Sequence, residues 1–201
     1  MSELDPLNSD LNSAESIVFV GDSITAGGDW QKWFPEYRVA VEATPGDATD
    51  RLNERLPAII ELQPETLAIL IGANDFGQSR SVEYVVRSIE YFLAMVRQDV
   101  PGSRTLVQSI LPRGREYAQD IREANRHLRQ YAQNVHAQYL DLWATMATDE
   151  GELKPEYTTD RLHLTPAGYE AWLSELRPAL ERLADAPPMS RPISIIHDAR
   201  V

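Results

Sequence analysis

The sequence predicts an α/β fold with three layers, in which helices cover both faces of a mainly parallel sheet of five strands. Five apolar runs are too short for helices, as is typical of strands. Their apolar character is continuous rather than alternating, which indicates burial on both faces. Helical patterns fill the gaps between the runs, and this alternation favours a parallel sheet.

The predicted strands are the five apolar runs. They cover Ile17–Val20, Tyr37–Val41, Leu67–Ile71, Thr105–Ile110 and Tyr139–Leu142. The first is rich in β-branched residues and stops at a glycine. Because ligands of such sheets bind at the carboxyl ends of the strands, we expect functional residues directly after these runs.

Four apolar stripes at helical spacing predict the outer layers. Ser81 is a candidate N-cap of the second stripe, which stops before Pro101. Thr165 and Pro166 are the candidate cap and first residue of the fourth. The stripes run from Leu52 to Ile60, Val85 to Val96, Ile121 to Val135 and Tyr169 to Leu180.

A single domain is expected over residues 16–184, without internal repeats or an interdomain linker. Residues 1–15 are rich in Ser, Asp and Asn and predict a loosely ordered lead-in. Residues 185–201 change in composition and predict either a disordered tail or an arm that packs on this or a neighbouring subunit.

The composition excludes several classes of protein. The 201 residues contain no cysteine, which excludes a disulfide scaffold, a thiol nucleophile and a thiolate metal site. A net charge of -12 disfavours nucleic acid and anionic membrane surfaces as partners. No apolar run approaches the roughly 20 residues of a membrane span, and the polar, acidic N-terminus is unlike a secretory signal. We therefore expect a cytoplasmic enzyme or binding domain.

Three turns after predicted strands carry groups suited to acyl transfer. Ser23 ends a Gly-Asp-Ser turn after the first strand and presents a hydroxyl, although a helix cap fits the same pattern. Gly46 follows the second strand, where its N–H can approach a ligand or belong to a bare turn. Asn74 follows the third, where its amide can donate to an oxyanion or form an Asx turn.

The four histidines differ in their surroundings. His163 stands three residues after Asp160, just before the capped fourth helix. A carboxylate at this spacing can accept from the histidine Nδ1–H and orient the ring, although a salt link before the helix explains the same spacing. His127 and His136 lie in the third helical pattern, and His197 lies in the tail.

Together these candidates supply every group that acyl transfer needs. Ser23 is a nucleophile, His163 a base and Asp160 its orienting acid. The backbone N–H groups of Ser23 and Gly46 and the amide of Asn74 are three oxyanion donors. Independent turns and caps would rarely assemble the whole set, so the sequence favours ester hydrolysis.

On these residues the sequence resembles the SGNH, or GDSL-type, hydrolases. The family's blocks correspond to Gly21–Ser23, Gly46, Gly72–Asp75 and Asp160–His163, and the resemblance spans roughly residues 16–184. The segment Ser109–Gly114 also resembles the branch related to platelet-activating-factor acetylhydrolase catalytic subunits. One departure is the second block, where Glu42 and Pro45 alter the loop around the glycine.

The resemblance implies a flavodoxin-like fold and a serine esterase that acts on a small-molecule ester without a cofactor or metal. By this resemblance Ser23, His163 and Asp160 form the catalytic triad, and Ser23, Gly46 and Asn74 form the oxyanion hole. A compact chain without an obvious lid favours short acyl groups such as acetyl. Carbohydrate O-deacetylase and lysophospholipase are alternatives within the family.

The related branch also implies a homodimer. The apolar residues of the tail are the candidate contacts, as an exchanged strand: Ile193, Ile195 and Ile196. No nucleic acid and no integral membrane association are expected.

Four further residues are candidate substrate contacts: Asp22, Phe76, Arg113 and Trp143. The aromatic rings would line the acyl or alcohol side of the site, and the arginine would meet a phosphate or carboxylate on the leaving group. Core packing and a solvated loop arginine are the ordinary alternatives.

Three other kinds of protein stay open. A non-catalytic binding module on this fold would be expected to lose at least one site residue. A phosphate- or nucleotide-binding domain would need the lysine and longer glycine-rich loop of a P-loop. A metal hydrolase would use Asp22, Asp75, Asp160 and His163 as ligands. This set contains a single histidine, which disfavours a catalytic metal site.

Overall fold

The computed structural model describes residues 14–188 and contains a sheet of five parallel strands in the order β2-β1-β3-β4-β5. The strands are β1 Ser16–Gly21, β2 Arg38–Ala43, β3 Thr66–Leu70, β4 Arg104–Gln108 and β5 Gln138–Leu140. All five predicted strands are confirmed, with ends within two residues of the apolar runs. This strand order is that of flavodoxin-like folds, whose ligands bind where the order reverses, between β1 and β3.

Four long helices coincide with the predicted apolar stripes, and four short helices lie in the segments that connect strands to the next element. The long helices are α3 Thr49–Glu61, α5 Val82–Asp99, α6 Ala118–Asn134 and α8 Pro166–Ala184. The short helices are α1 Ser23–Ala26, α2 Trp30–Trp33, α4 Ala73–Gly77 and α7 Trp143–Met146. Two 3₁₀ turns cover Arg115–Tyr117 and Pro155–Tyr157.

The predicted helix caps are present. The Ser81 hydroxyl accepts the Tyr84 N–H at 3.2 Å and opens α5. The Thr165 hydroxyl accepts the Gly168 N–H at 3.3 Å, and α8 begins at Pro166. Each cap satisfies a backbone donor that the first turn of a helix leaves without a partner.

The core follows the continuous apolar character of the central strands. Every residue of β3 is buried, as are the five residues Ile17–Gly21 of β1. Under α2 and α8, Phe19 stacks on Trp30 with ring centroids 4.1 Å apart, and Trp30 meets Trp172 edge-on at 5.0 Å. Trp30 and Phe34 are therefore core residues.

Residues near both ends of the described chain contact the edge of the sheet at which the strands begin. Arg104 in β4 donates to the carbonyl oxygen of Ala186 at 2.8 Å, and Glu15 accepts the Thr66 hydroxyl at 2.6 Å. Most of the predicted lead-in and tail, including Ile193, Ile195 and Ile196, lies outside the described residues. Among residues 14–188, no helix combines the length and hydropathy that crossing a bilayer requires.

Candidate active site

Ser23 lies at the carboxyl end of β1, as the first residue of α1. The carboxylate of Asp22 caps this helix by accepting the Ile24 N–H at 3.0 Å. A Cβ atom at Gly21 would collide with the carbonyl oxygen of Leu70, so the turn that leads to Ser23 needs a glycine at this position.

The structure brings Ser23, His163 and Asp160 together. The Ser23 Oγ lies 2.9 Å from His163 Nε2, although the two residues are 140 positions apart in the chain. On the other side of the ring, His163 Nδ1 lies 2.7 Å from Asp160 Oδ2. Both distances are those of hydrogen bonds, so the three side chains form one continuous relay.

The loop before α8 holds Asp160 as a carboxylate. Its Oδ1 accepts the backbone N–H groups of Leu162 at 2.9 Å and His163 at 2.8 Å, and the Thr158 hydroxyl at 3.2 Å. Arg161 adopts a left-handed φ of 63° within this turn. The hydrogen bond with the His163 side chain, aided by these backbone donors, holds the pKa of Asp160 well below its usual range.

Gly46 and Asn74 follow the two strands that flank β1. β2 and β3 flank β1 in the sheet, so the loops that follow them lie beside the end of β1. Asn74 is in the first turn of α4, and its Nδ2 donates to the Asp47 carbonyl oxygen at 2.9 Å. Gly46 has a φ of 84°, a conformation that favours glycine.

Asp75 sits next to Asn74 but faces the interior. It is fully buried and accepts the Thr49 N–H at 3.0 Å and the Thr49 hydroxyl at 2.7 Å. Arg80 donates to it at 3.2 Å and to Asp50 at 2.7 Å. Burial raises the pKa of Asp75, and the network ties α4 to the start of α3.

Two of the four predicted substrate contacts are buried. Asp22 is 0% exposed, and burial raises its pKa to about 6. Its Oδ2 has no hydrogen-bond partner among the described residues. Phe76 is 3% exposed and packs in the hydrophobic core. In this structure Asp22 supports the turn and Phe76 the core, and their contact with substrate stays a prediction.

The other two predicted contacts differ in position. Arg113 donates to the Ala73 carbonyl oxygen at 2.6 Å and stacks on Tyr117, so it lies beside α4 and stays a candidate. Trp143 lines a separate pocket of about 290 Å³ after β5, against Arg122. The contact of Trp143 with substrate stays a prediction.

Sequence reasoning missed two residues that hold the site in place. Thr158 bonds to Asp160, and its hydroxyl also accepts the Asp160 N–H at 3.3 Å. Tyr169 donates its hydroxyl to the Ile24 carbonyl oxygen at 2.7 Å and so links α8 to α1. A hydroxyl two residues before Asp160 is a weak local signal for the first, and nothing in the sequence identifies the partner of the second.

The acidic residues of the metal-hydrolase alternative each have partners within the protein. Asp22 and Asp75 are buried in different turns, whereas Asp160 is bound to His163. Within the described part of the chain, no group of three or more His, Asp or Glu side chains is arranged to hold a metal ion.

The geometry suits proton transfer coupled to nucleophilic attack. A neutral imidazole that donates from Nδ1 to a carboxylate can accept a hydroxyl proton at Nε2. His163 and Asp160 are about half exposed, with side-chain exposures of 52% and 49%, so the relay opens to the surface.

The sequence is similar to those of known proteins. Residues 19–171 match the sequence model of the GDSL-like lipase/acylhydrolase family. The chain is 26% identical to platelet-activating factor acetylhydrolase IB subunit alpha1 of Bos taurus over 178 residues, which cover 83% of this chain and 75% of that protein. It is 29% identical to isoamyl acetate-hydrolyzing esterase 1 homolog of Bos taurus over 152 residues, which cover 64% of this chain and 61% of the other.

The fold also matches solved structures. A GDSL-like lipase from Bacteroides thetaiotaomicron superimposes with a TM-score of 0.76 at 20% identity, over 89% of this chain and 92% of that one. This likeness concerns the fold, and the family match extends over most of the domain. The chain therefore belongs to the GDSL-like lipase/acylhydrolase family of ester-hydrolysing enzymes.

Proposed function

We propose that the protein hydrolyses short-chain carboxylic esters, including acetates, through an acyl-enzyme on Ser23. The observation that carries the proposal is the continuous relay from Ser23 Oγ to His163 at 2.9 Å and from His163 to Asp160 at 2.7 Å. Ser23 stands at the carboxyl end of β1, next to β3, where the strand order reverses and ligands of this fold class bind.

The first half of the reaction acylates Ser23. His163 Nε2 takes the hydroxyl proton as Oγ attacks the ester carbonyl carbon. The carbonyl oxygen becomes an oxyanion that accepts hydrogen bonds from the N–H groups of Ser23 and Gly46 and from Asn74 Nδ2. His163 then gives its proton to the alcohol oxygen, the carbon–oxygen bond breaks, and the alcohol leaves.

The second half repeats these steps with water. His163 removes a proton from water as its oxygen attacks the acyl-enzyme, and it returns that proton to Ser23 Oγ when the carboxylic acid departs. Asp160 stays ionised throughout, because its pKa lies well below the usual range. It therefore stabilises the imidazolium of His163 in both halves.

Two observations support a short acyl group. The side chains of His163 and Asp160 are about half exposed, so an ester reaches them at the surface of the protein. The names of the two relatives described above also refer to acetyl hydrolysis and to an acetate ester. Acetyl is thus the acyl group that we expect to be turned over best.

Covalent labelling tests this proposal. The protein is incubated with a fluorophosphonate and examined by intact-mass spectrometry, alongside hydrolysis of p-nitrophenyl acetate, butyrate and octanoate. We expect one adduct that maps to Ser23 and is absent in Ser23→Ala, with acetate turned over faster than octanoate.

A matched serine variant controls the labelling. Ser174 is exposed on α8, and its hydroxyl bonds only to the Ala171 carbonyl oxygen of its own helix, so Ser174→Ala is expected to keep both adduct and turnover. Wild-type turnover in Ser23→Ala would refute the mechanism.

A further inference from the structure

A pocket of about 370 Å³ opens between α2 and the beginning of α8. Trp33 and Tyr169 form an aromatic part of its wall, with ring centroids 5.4 Å apart. Leu164 and Leu173 add aliphatic surface, and all four side chains are partly exposed. The pocket thus offers apolar surface that the core leaves uncovered.

The pocket adjoins the reacting residues through the backbone. Leu164, in its wall, directly follows His163. Gly27, also in its wall, donates its N–H to the Ser23 carbonyl oxygen at 3.0 Å. Tyr169 is bonded to the residue after Ser23, at 2.7 Å.

The lining of the pocket comes from the same part of the chain as His163. It includes Leu164 of the loop that carries His163, residues of α8, Gly27 after α1 and Trp33 of α2, and none of the residues that follow β2 or β3. In acyl transfer the carbonyl oxygen points towards the oxyanion donors, whereas the leaving oxygen must reach the protonated histidine. The alcohol part of an ester therefore extends towards the loop that carries His163 and Leu164, and Leu164 lines this pocket.

We propose that this pocket binds the alcohol part of the ester and makes the enzyme select apolar alcohols that carry no negative charge. The inference rests on the mechanism proposed above. The aromatic and aliphatic wall stabilises an apolar group by removing it from water.

Charge at the pocket opposes an anionic alcohol. Glu170 lines it with an exposed carboxylate that has no hydrogen-bond or ion-pair partner among residues 14–188. The lining of this pocket includes no lysine, arginine or histidine. A negatively charged alcohol would therefore meet a like charge without compensation.

Three acetates with different alcohols test the proposal. Ethyl acetate has a small alcohol, benzyl acetate an apolar one, and 4-(acetoxymethyl)benzoate adds a carboxylate to the benzyl ring. We expect kcat/KM for benzyl acetate to exceed that of either other ester by about tenfold, in the range that one pocket contact provides.

Two variants locate this selectivity. Leu173→Trp fills the pocket and is expected to lower the benzyl-to-ethyl ratio of kcat/KM about fivefold. Glu170→Gln removes the charge at an exposed site, where folding is not at risk, and should raise kcat/KM for the carboxylate ester about threefold relative to benzyl acetate. Tyr91 is 54% exposed on α5, and Tyr91→Ala is the aromatic control that keeps both ratios.

The outcomes separate this proposal from the mechanism. Equal kcat/KM for ethyl and benzyl acetate, with a Ser23 adduct still formed, would overturn the pocket assignment and leave the esterase mechanism intact. If Leu173→Trp instead changes the acyl-chain preference among ethyl acetate, ethyl butyrate and ethyl hexanoate, the pocket holds the acyl group and the proposal is wrong. No adduct and no turnover of any ester would refute the mechanism and the pocket assignment together.

Discussion

The side-chain amide of Asn74 donates a hydrogen bond to the backbone carbonyl oxygen of Asp47 at 2.9 Å. This bond joins the loop after β3 to the loop after β2, across the end of the strand that leads to Ser23. A side-chain amide has two N–H groups, so one fixes the orientation of Asn74 and the other is available to an oxyanion.

Replacing Asn74 tests whether its side-chain amide donates to the oxyanion. Asn74→Ala should lower kcat by on the order of 10²–10³, because a donor aimed at the developing charge is lost, with a much smaller change in KM. Steady-state kinetics with p-nitrophenyl acetate measures both kcat and KM. Asn53 is a matched control, since its amide donates to the Ser88 carbonyl oxygen at 3.1 Å on the far side of α3. An equal loss in Asn53→Ala would contradict the assignment.

The role of the Asp160 carboxylate can be tested with a substitution that keeps the shape of the side chain. Asp160→Asn should lower kcat by on the order of 10³–10⁴, because the amide no longer holds the ring in the tautomer that accepts from Ser23. Thr158 supplies a graded comparison. Thr158→Val removes a hydrogen bond to Asp160 and should cost about tenfold in kcat, whereas Thr158→Ser keeps the hydroxyl and the rate. An unchanged kcat in Asp160→Asn would show that this carboxylate has no part in the relay.

Asp75 should affect stability, in contrast to its neighbour Asn74. Asp75→Ala leaves the Thr49 N–H and hydroxyl and one Arg80 donor without their buried acceptor. We expect the free energy of unfolding to fall by about 3–5 kcal/mol, measured by urea titration. The exposed Asp149→Ala is the control and should change it by less than about 0.5 kcal/mol. A fully stable Asp75→Ala protein would disprove the structural role.

The buried carboxyl of Asp22 makes stability depend on pH. Its pKa is raised from 3.8 to about 6 by burial, so the folded state binds this proton more tightly than the unfolded state. The resulting stabilisation is complete below about pH 4 and is lost as pH rises through about 6, a change of about 2–3 kcal/mol.

Asp22→Asn removes this titration while its side-chain oxygen still accepts the Ile24 N–H. Urea unfolding at pH 4 and at pH 8 should show the variant gaining about 2–3 kcal/mol relative to the wild type over that interval. A difference between the two proteins that stays constant from pH 4 to pH 8 would refute the effect.

Local pattern was sufficient to locate the strands and the four long helices and to predict a mainly parallel sheet. Strand ends lie within two residues of the apolar runs, and the caps at Ser81 and Thr165 are where the sequence places them. These features depend on neighbours in the chain, since helical and strand periods and capping bonds each involve a few consecutive residues. The resemblance of four short blocks then indicated the family, which the family match confirms.

The sequence did not predict the contacts between segments that are distant along the chain. The residue types of Asp22 and Phe76 suit a binding site, but both are buried, because the turn after β1 and the helix after β3 point these side chains inward. Thr158 and Tyr169 were missed for the complementary reason, since their partners lie in the fold rather than in a motif.

The sequence by itself therefore determined the order of strands and helices and the set of groups for acyl transfer. Only the tertiary structure decided that Ser23 Oγ lies 2.9 Å from an imidazole 140 residues away, and that a pocket opens beside it between α2 and α8. The physical reason is that hydropathy and capping act along the chain, whereas side-chain orientation and uncovered surface depend on how distant segments pack.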